Sequence, residues 1–298
     1  MWVYIALLSA AFLGIYDVSK KSALKNNAVM PVLWFNTLFC SVLMTPFLII
    51  SHTTGWLDNT LFYLPDGTLQ MHLHVFVKAS IVLASWVCGY FGMKHLPITL
   101  YGPVNATRPI LVLLGGLLIF QEKLNLYQWI GVIIAVISFY MLSVSGKKEG
   151  IDFKRNKWII CTILATLLGA VSAMYDKYLM GRFSNMFVQA WSNYYQLLIM
   201  TVLLFVLWYP QRRNSTPFRW KWSILQISLF LTAADYAYFF ALTQADSMIS
   251  IVSMIRRSSV IVSFLFGAMV FKEKNLKSKA VDLILVLFGL FFLLLGSL

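Results

Sequence analysis

The sequence predicts an all-α membrane protein of ten transmembrane helices, built as two five-helix repeats. Three observations lead there. Of 298 residues, 60% are hydrophobic and only 12% are charged, whereas soluble domains carry roughly 25% charged residues. The mean hydropathy is +0.77. The apolar residues fall into long runs without strand-like alternation, and short motifs from the first half recur in order in the second. So little polar surface cannot cover a water-facing globule, which excludes a cytosolic enzyme, a disordered chain, a coiled coil and a nucleic-acid-binding domain.

A helix needs about 20 mostly apolar residues to cross ~30 Å of hydrocarbon. Ten stretches qualify: 2–24, 30–50, 73–93, 98–120, 126–144, 158–180, 186–209, 222–243, 248–271 and 279–297. The run Leu283 to Leu295 does not alternate, so a β-barrel is disfavoured and helices remain, since lipid-spanning backbone must satisfy its own hydrogen bonds. Met1 leads straight into an apolar run without a charged leader, so the first stretch is expected to be a retained helix. Cys40, Cys88 and Cys161 lie in separate apolar runs and read as small packing residues.

The net charge of +13 is gathered in clusters between the spans, as topology signals are. Counting Lys20, Lys21, Lys25, Lys94, Lys147, Lys148, Lys154, Arg155, Lys157, Arg212, Arg213, Arg219, Lys221, Lys272, Lys274, Lys277 and Lys279 on one side leaves little beyond Lys123 and Arg182 on the other. Positive-inside counting then places both termini outside.

Internal similarity is the most informative feature. Tyr16-Asp17 recurs as Tyr175-Asp176, Trp34-Phe35-Asn36 as Trp191-Ser192-Asn193, Gly89-Tyr90-Phe91 as Ala237-Tyr238-Phe239, and Glu122-Lys123 as Glu273-Lys274. The offsets are 159, 157, 148 and 151 residues. A duplication is expected, with residues 1–145 and 158–298 as repeats and 146–157 as a basic linker. A five-helix copy crosses the membrane in the opposite sense, giving inverted repeats that suit alternating access around a site near the midplane.

On these residues the chain resembles the ten-helix drug/metabolite transporter superfamily, of the EamA type. The resemblance spans nearly the whole chain and rests on the two repeats and on Glu122 and Glu273 closing the fourth helix of each. It implies that the first four helices of each repeat line a central cavity while the fifth supports packing. One departure is the loop 51–72, which has no Lys or Arg where typical members are basic; here 210–221 is basic instead.

A charge in hydrocarbon costs about 2.5–3.5 kcal/mol on insertion scales, so it is expected to face a cavity or a partner. Arg108 lies deep in the fourth span, and Arg256 and Arg257 early in the ninth. Aligned on the two Glu residues, Asn105 matches Arg256 and Arg108 matches Ser259. Guanidinium stays protonated and grips carboxylate or phosphate with a planar fork, which suggests substrate binding; the other reading is an ion pair with Asp235 or Asp17. Asp17 and Asp176, each after a tyrosine (Tyr16, Tyr175), read either as proton-coupling or cation-binding groups or as charges paired near a helix end, Asp17 with Lys20 or Lys21 and Asp176 with Lys177 or Arg182. Asp235, flanked by Tyr236 and Tyr238, is a further candidate for coupling or gating, with a structural pair to an arginine of span nine as the favoured reading. Asn36, Asn193, Trp86, Tyr90 and Tyr238 are candidates for cavity lining, with packing as the plain alternative. Pro97, Pro103 and Pro109 bend spans three and four.

His52, His72 and His74 lack the company a metal site needs and read as loop residues. No Walker A sequence, catalytic carboxylate pair or nucleophile–base set occurs, so neither ATP-driven pumping nor an enzyme is supported, and no cofactor is called for. The expected function is secondary transport of a small anionic or zwitterionic metabolite, such as an amino acid or an organic or phosphorylated acid. The alternative is proton-coupled efflux of cationic amphiphiles through Asp17 and Asp176. The expected partners are the solute, the bilayer and, in the second case, a coupling proton. The expected site is a bacterial inner membrane and the expected state a monomer or homodimer.

Overall fold

The computed structural model describes residues 2–58, 60–108, 110–112, 114, 125–147, 155–213, 215–242, 252, 255–256, 258–270 and 276–296. Within them the chain is helical and without strands. The helices are α1 (Trp2–Leu24), α2 (Val29–Thr53), α3 (Leu69–His95), α4 (Ile98–Ala106), α5 (Leu126–Lys147), α6 (Lys157–Met180), α7 (Asn185–Leu203, followed by a π-helical turn Leu204–Trp208), α8 (Ser223–Leu242), α9 (Ser259–Met269) and α10 (Leu276–Leu295). Five of them, α2, α3, α6, α8 and α7 with its π turn, are long and apolar enough to cross a membrane. Their outer faces carry exposed side chains such as Ile49, Val77, Leu164, Val202, Phe205 and Leu229, which suits lipid and would be costly in water.

Helix ends follow local chemistry. α3 starts four residues before the expected 73 because Thr68 caps it, its hydroxyl accepting from the Met71 amide at 3.4 Å. His72 and His74 therefore lie on the first turns of a helix rather than in a loop, a correction to the sequence reading. Pro97 breaks the chain between α3 and α4, and Pro103 lies inside α4. Pro109 falls outside the described residues, as do Glu122 and Glu273. Between α1 and α2, Asn26 takes a left-handed conformation (φ 52°), which asparagine tolerates better than most residues. Asn27 then clamps the distant loop before α8, donating to Arg219 O at 2.7 Å and accepting from its amide at 2.8 Å.

Packing is dominated by contacts between the two halves. α1 packs on α8 and α3 on α6; α2 meets α7 and α8, and α3 meets α7; α1 meets α9 and α4 meets α6; α4 faces α9 and α5 faces α10. α4 also meets α10; apart from that pair, exchanging each of α1–α5 with its counterpart five helices later maps this set of pairs onto itself. The largest apolar cluster, including Leu33, Leu83, Tyr90, Met200 and Ile227, draws on both halves, so neither half completes its core alone.

One end of the bundle gathers the basic connections. Lys21 donates to Met93 O at 2.8 Å and also to Leu96 O. Lys94 donates to Thr216 at 2.9 Å, and Lys221 to Ser22 O and Lys25 O at 3.0 and 2.6 Å. The His95 ring stacks on Trp158 with centroids 3.6 Å apart. The connection 54–68, at the other end, holds Asp58 and Asp66 and no lysine or arginine.

Candidate functional site

Residues at helical spacing form an inner stripe on each of three helices, and each stripe carries charged or hydroxyl side chains on an otherwise apolar helix: Leu13, Tyr16, Asp17 and Lys20 on α1; Ala165, Ser172 and Asp176 on α6; Leu231, Asp235 and Phe239 on α8. Each stripe turns toward the centre, where it lines a cavity of about 130 Å³. Residues 78–90 of α3, the α4 segment with Tyr101, Asn105 and Arg108, and Arg256 just ahead of α9 complete the wall.

Among the lining residues are four cationic side chains and three carboxylates. Lys20 Nζ is 2.8 Å from Asp17 one turn earlier on α1, and lies over the Tyr16 ring at 4.3 Å. Lys78 reaches from α3 to Asp176 on α6 at 3.0 Å. Arg256 pairs with Asp235 of α8, and its guanidinium lies over the Tyr238 ring at 4.3 Å. Burial makes these contacts consequential. Asp17, Lys20, Lys78, Asp176 and Arg256 are all at least nine-tenths buried, and a buried charge without a partner is strongly unfavourable.

Arg108 is the exception. Its Nη2 donates to Asn105 Oδ1 at 3.0 Å, one turn earlier, and its buried Nε meets no acceptor. No carboxylate among the described residues forms an ion pair with it. With all seven groups ionised, the cavity carries one surplus positive charge, centred on Arg108.

Of the residues singled out from sequence, the fold brings Tyr16, Asp17, Trp86, Tyr90, Asn105, Arg108, Asp176, Asp235 and Arg256 to this cavity. Arg257 lies outside the described residues. Tyr238 stands behind Arg256 rather than on the wall. Asn36 is buried on α2, where its Oδ1 accepts from Cys40 Sγ at 3.7 Å, and half-buried Asn193 lies on α7. Tyr175 faces the acidic end, its hydroxyl 2.7 Å from His74 Nδ1. Among the described residues, α2 and α7 contribute nothing to the lining, because their inner faces are taken up with each other and with α3 and α8. Lining by all of the first four helices of each repeat, as the resemblance implied, is corrected to that extent. Asp176 pairs with Lys78 of α3 and not with Arg182; the side chain of Lys177 lies outside the described residues.

Sequence reasoning missed Lys78, Tyr101, Ser85 and Ser172. Lys78 was findable: a lone lysine inside an apolar run needs an acid from another helix. A span begun at 73 hid it near an interface, whereas in the helix begun at 69 it lies ten residues deep. His72 and His74 bond tyrosines (His72 Nδ1 to Tyr195 OH, 2.9 Å), and no group of three metal-ligating side chains exists among the described residues.

A helical bundle that hides a small charged hollow behind a lipid-compatible exterior is the build of a multi-pass integral membrane transporter. The chain belongs to the EamA-like transporter family, whose model matches residues 1–144 and again 156–295; it is thus a membrane transporter of the drug/metabolite superfamily. A solved structure described as "Crystal structure of protein" is similar over 98% of this chain and 94% of that one, with a TM-score of 0.62 at 11% identity, a likeness of fold alone. No curated protein matches the sequence.

Proposed function

We propose that the protein is a secondary carrier for a small anionic or zwitterionic organic solute, working by alternating access. The observation that carries this reading is Arg108, a guanidinium facing the cavity without a carboxylate partner among the described residues, while every described acid in the wall has its own cation. A carboxylate or phosphate on the solute would complete the fourth pair with planar, two-pronged geometry. The volume of about 130 Å³ suits a small metabolite and falls below the ~300 Å³ at which drug-sized ligands are usually held.

In this reading the ten helices cross the membrane as two repeats of opposite sense, 1–145 and 158–298, joined by the linker 146–157. The set of helix pairs, which maps onto itself but for α4–α10, supports a two-fold relation, and the odd helix number per repeat requires the inversion. Rocking of one repeat on the other would open the cavity to each side in turn. Lys78–Asp176, which ties α3 to α6 across the repeats, is the pair placed to break and re-form. The basic end faces the cytoplasm of a bacterial cell, leaving both termini outside. The paired state of Asp17, Asp176 and Asp235 argues against cationic amphiphiles as cargo, since no lining carboxylate is left to receive them.

A thermal-shift screen of the purified protein tests the reading, because a ligand that binds only the folded state raises its apparent stability. Small carboxylates, amino acids and sugar phosphates are expected to include a stabiliser whose effect is lost in Arg108→Gln. Stabilisation by quaternary ammonium compounds alone, unchanged in Arg108→Gln, would overturn it.

A further inference from the structure

Gly169 lies on α6 between Ala165 and Ser172, on the face that meets α4 and the cavity. It lies in mid-helix, where glycine costs about 1 kcal/mol relative to alanine, so its presence calls for a local reason. The reason is steric. A Cβ at this position would overlap Cζ, Nη2 and Nε of Arg108, all three belonging to the guanidinium group itself. The headgroup occupies the space that any other side chain at 169 would fill.

The two halves supply an internal comparison. With the offset that aligns Asp17 with Asp176, Gly169 corresponds to Ala10 on α1. With the offset that aligns Glu122 with Glu273, Arg108 corresponds to Ser259 at the start of α9. The packing of α4 on α6 is likewise matched by that of α9 on α1. On the α1–α9 side the close approach falls instead at Gly14, where a Cβ would overlap the Val262 side chain and come within 3.1 Å of Ser259 O; of the two glycines, only Gly169 has its space taken by a guanidinium.

We infer that Gly169 is a positioning residue: its missing side chain is a notch in α6 that holds the Arg108 guanidinium against the wall, at the depth where it meets Asn105, and so sets how far the cation projects into the cavity. The consequence for transport rests on Arg108 as the anion anchor; the placement of the guanidinium does not. Gly169→Ala drives the headgroup toward the centre, where it is more accessible to solutes and obstructs the space they would use.

The test reads Arg108 directly and needs no known substrate. The purified protein is treated with phenylglyoxal, which modifies accessible guanidinium groups, and the rate at each arginine is followed by peptide mass spectrometry. Gly169→Ala is expected to speed modification of Arg108 several-fold while leaving Arg256, held by Asp235, at its wild-type rate. An unchanged rate at Arg108, or an equal rise at both arginines, overturns the inference. A second measurement covers poor folding of the variant. Gly169→Ala should lower the melting temperature in the native background but not with Arg108→Ser, which places at 108 the residue found at 259. Equal losses in both backgrounds also overturn it. If Arg108→Gln leaves solute binding intact while Gly169→Ala alters Arg108 reactivity, the anion-carrier reading fails and the notch stands.

Discussion

Lys78 of α3 and Asp176 of α6 form an ion pair with 3.0 Å between nitrogen and oxygen, joining the two halves of the chain across the cavity wall. Both side chains are almost wholly buried. Removing one partner of such a pair costs about 3–5 kcal/mol, because the survivor is left charged and unpaired, whereas removing both costs far less. Lys78→Met and Asp176→Asn should each lower the melting temperature in detergent sharply. The double variant should recover most of the loss, and additive losses would show that the two groups do not depend on each other.

The α3–α6 seam is also set by small residues. A Cβ at Gly92 would overlap Thr162 Oγ1, and Trp158 O lies 3.5 Å from the same point. Gly92→Ala should therefore destabilise by about 1–3 kcal/mol, the usual range for overpacking. Thr162→Ala should rescue it, as read by denaturation midpoints of the single and double variants. Failure of the rescue would place the strain elsewhere.

Orientation follows from the basic end. In a chain whose three cysteines are replaced by alanine, a cysteine at exposed Thr60 should react with a membrane-impermeant maleimide added to intact cells. One at exposed Gln211 should react only after lysis. The opposite pattern would put the termini inside.

Lys221, in the loop before α8, has its pKa lowered, chiefly by burial and further by Lys25 and Arg219. A lysine whose folded pKa lies below its unfolded one penalises folding while it is protonated. The penalty is fully present below the folded pKa and lifts as pH rises through that value toward the unfolded one near 10.5. The melting temperature of the wild type relative to Lys221→Gln should therefore rise between neutral pH and about pH 10. A difference flat in pH would contradict this.

Much of this architecture can be read from the chain. Runs such as Leu283 to Leu295 can only be helices in lipid, and Tyr16-Asp17 and Tyr175-Asp176 mark equivalent places in two copies. Arg108 and Asp235 announced themselves as charges in apolar runs, and both line the cavity. Partner choice was less legible. Asp17 takes Lys20 from its own helix, but the partner of Asp176 is 98 residues away on α3, and no spacing rule predicts which helix lies alongside. Asn36 and Asn193 matched each other as well as the two Asp residues did, yet they lie on helices whose inner faces are used for packing. Repeat symmetry identifies equivalent positions without saying which of them face the hollow.

Flux through Arg108 is the most direct measurement. Proteoliposomes holding the wild-type protein or Arg108→Gln would be offered radiolabelled amino acids, small carboxylates and sugar phosphates, with tetraphenylphosphonium as the cationic comparison. The account predicts that at least one anionic or zwitterionic solute enters above the level of empty vesicles, and that Arg108→Gln abolishes this entry. Transport of the cation alone, at the same rate with and without the arginine, would contradict it.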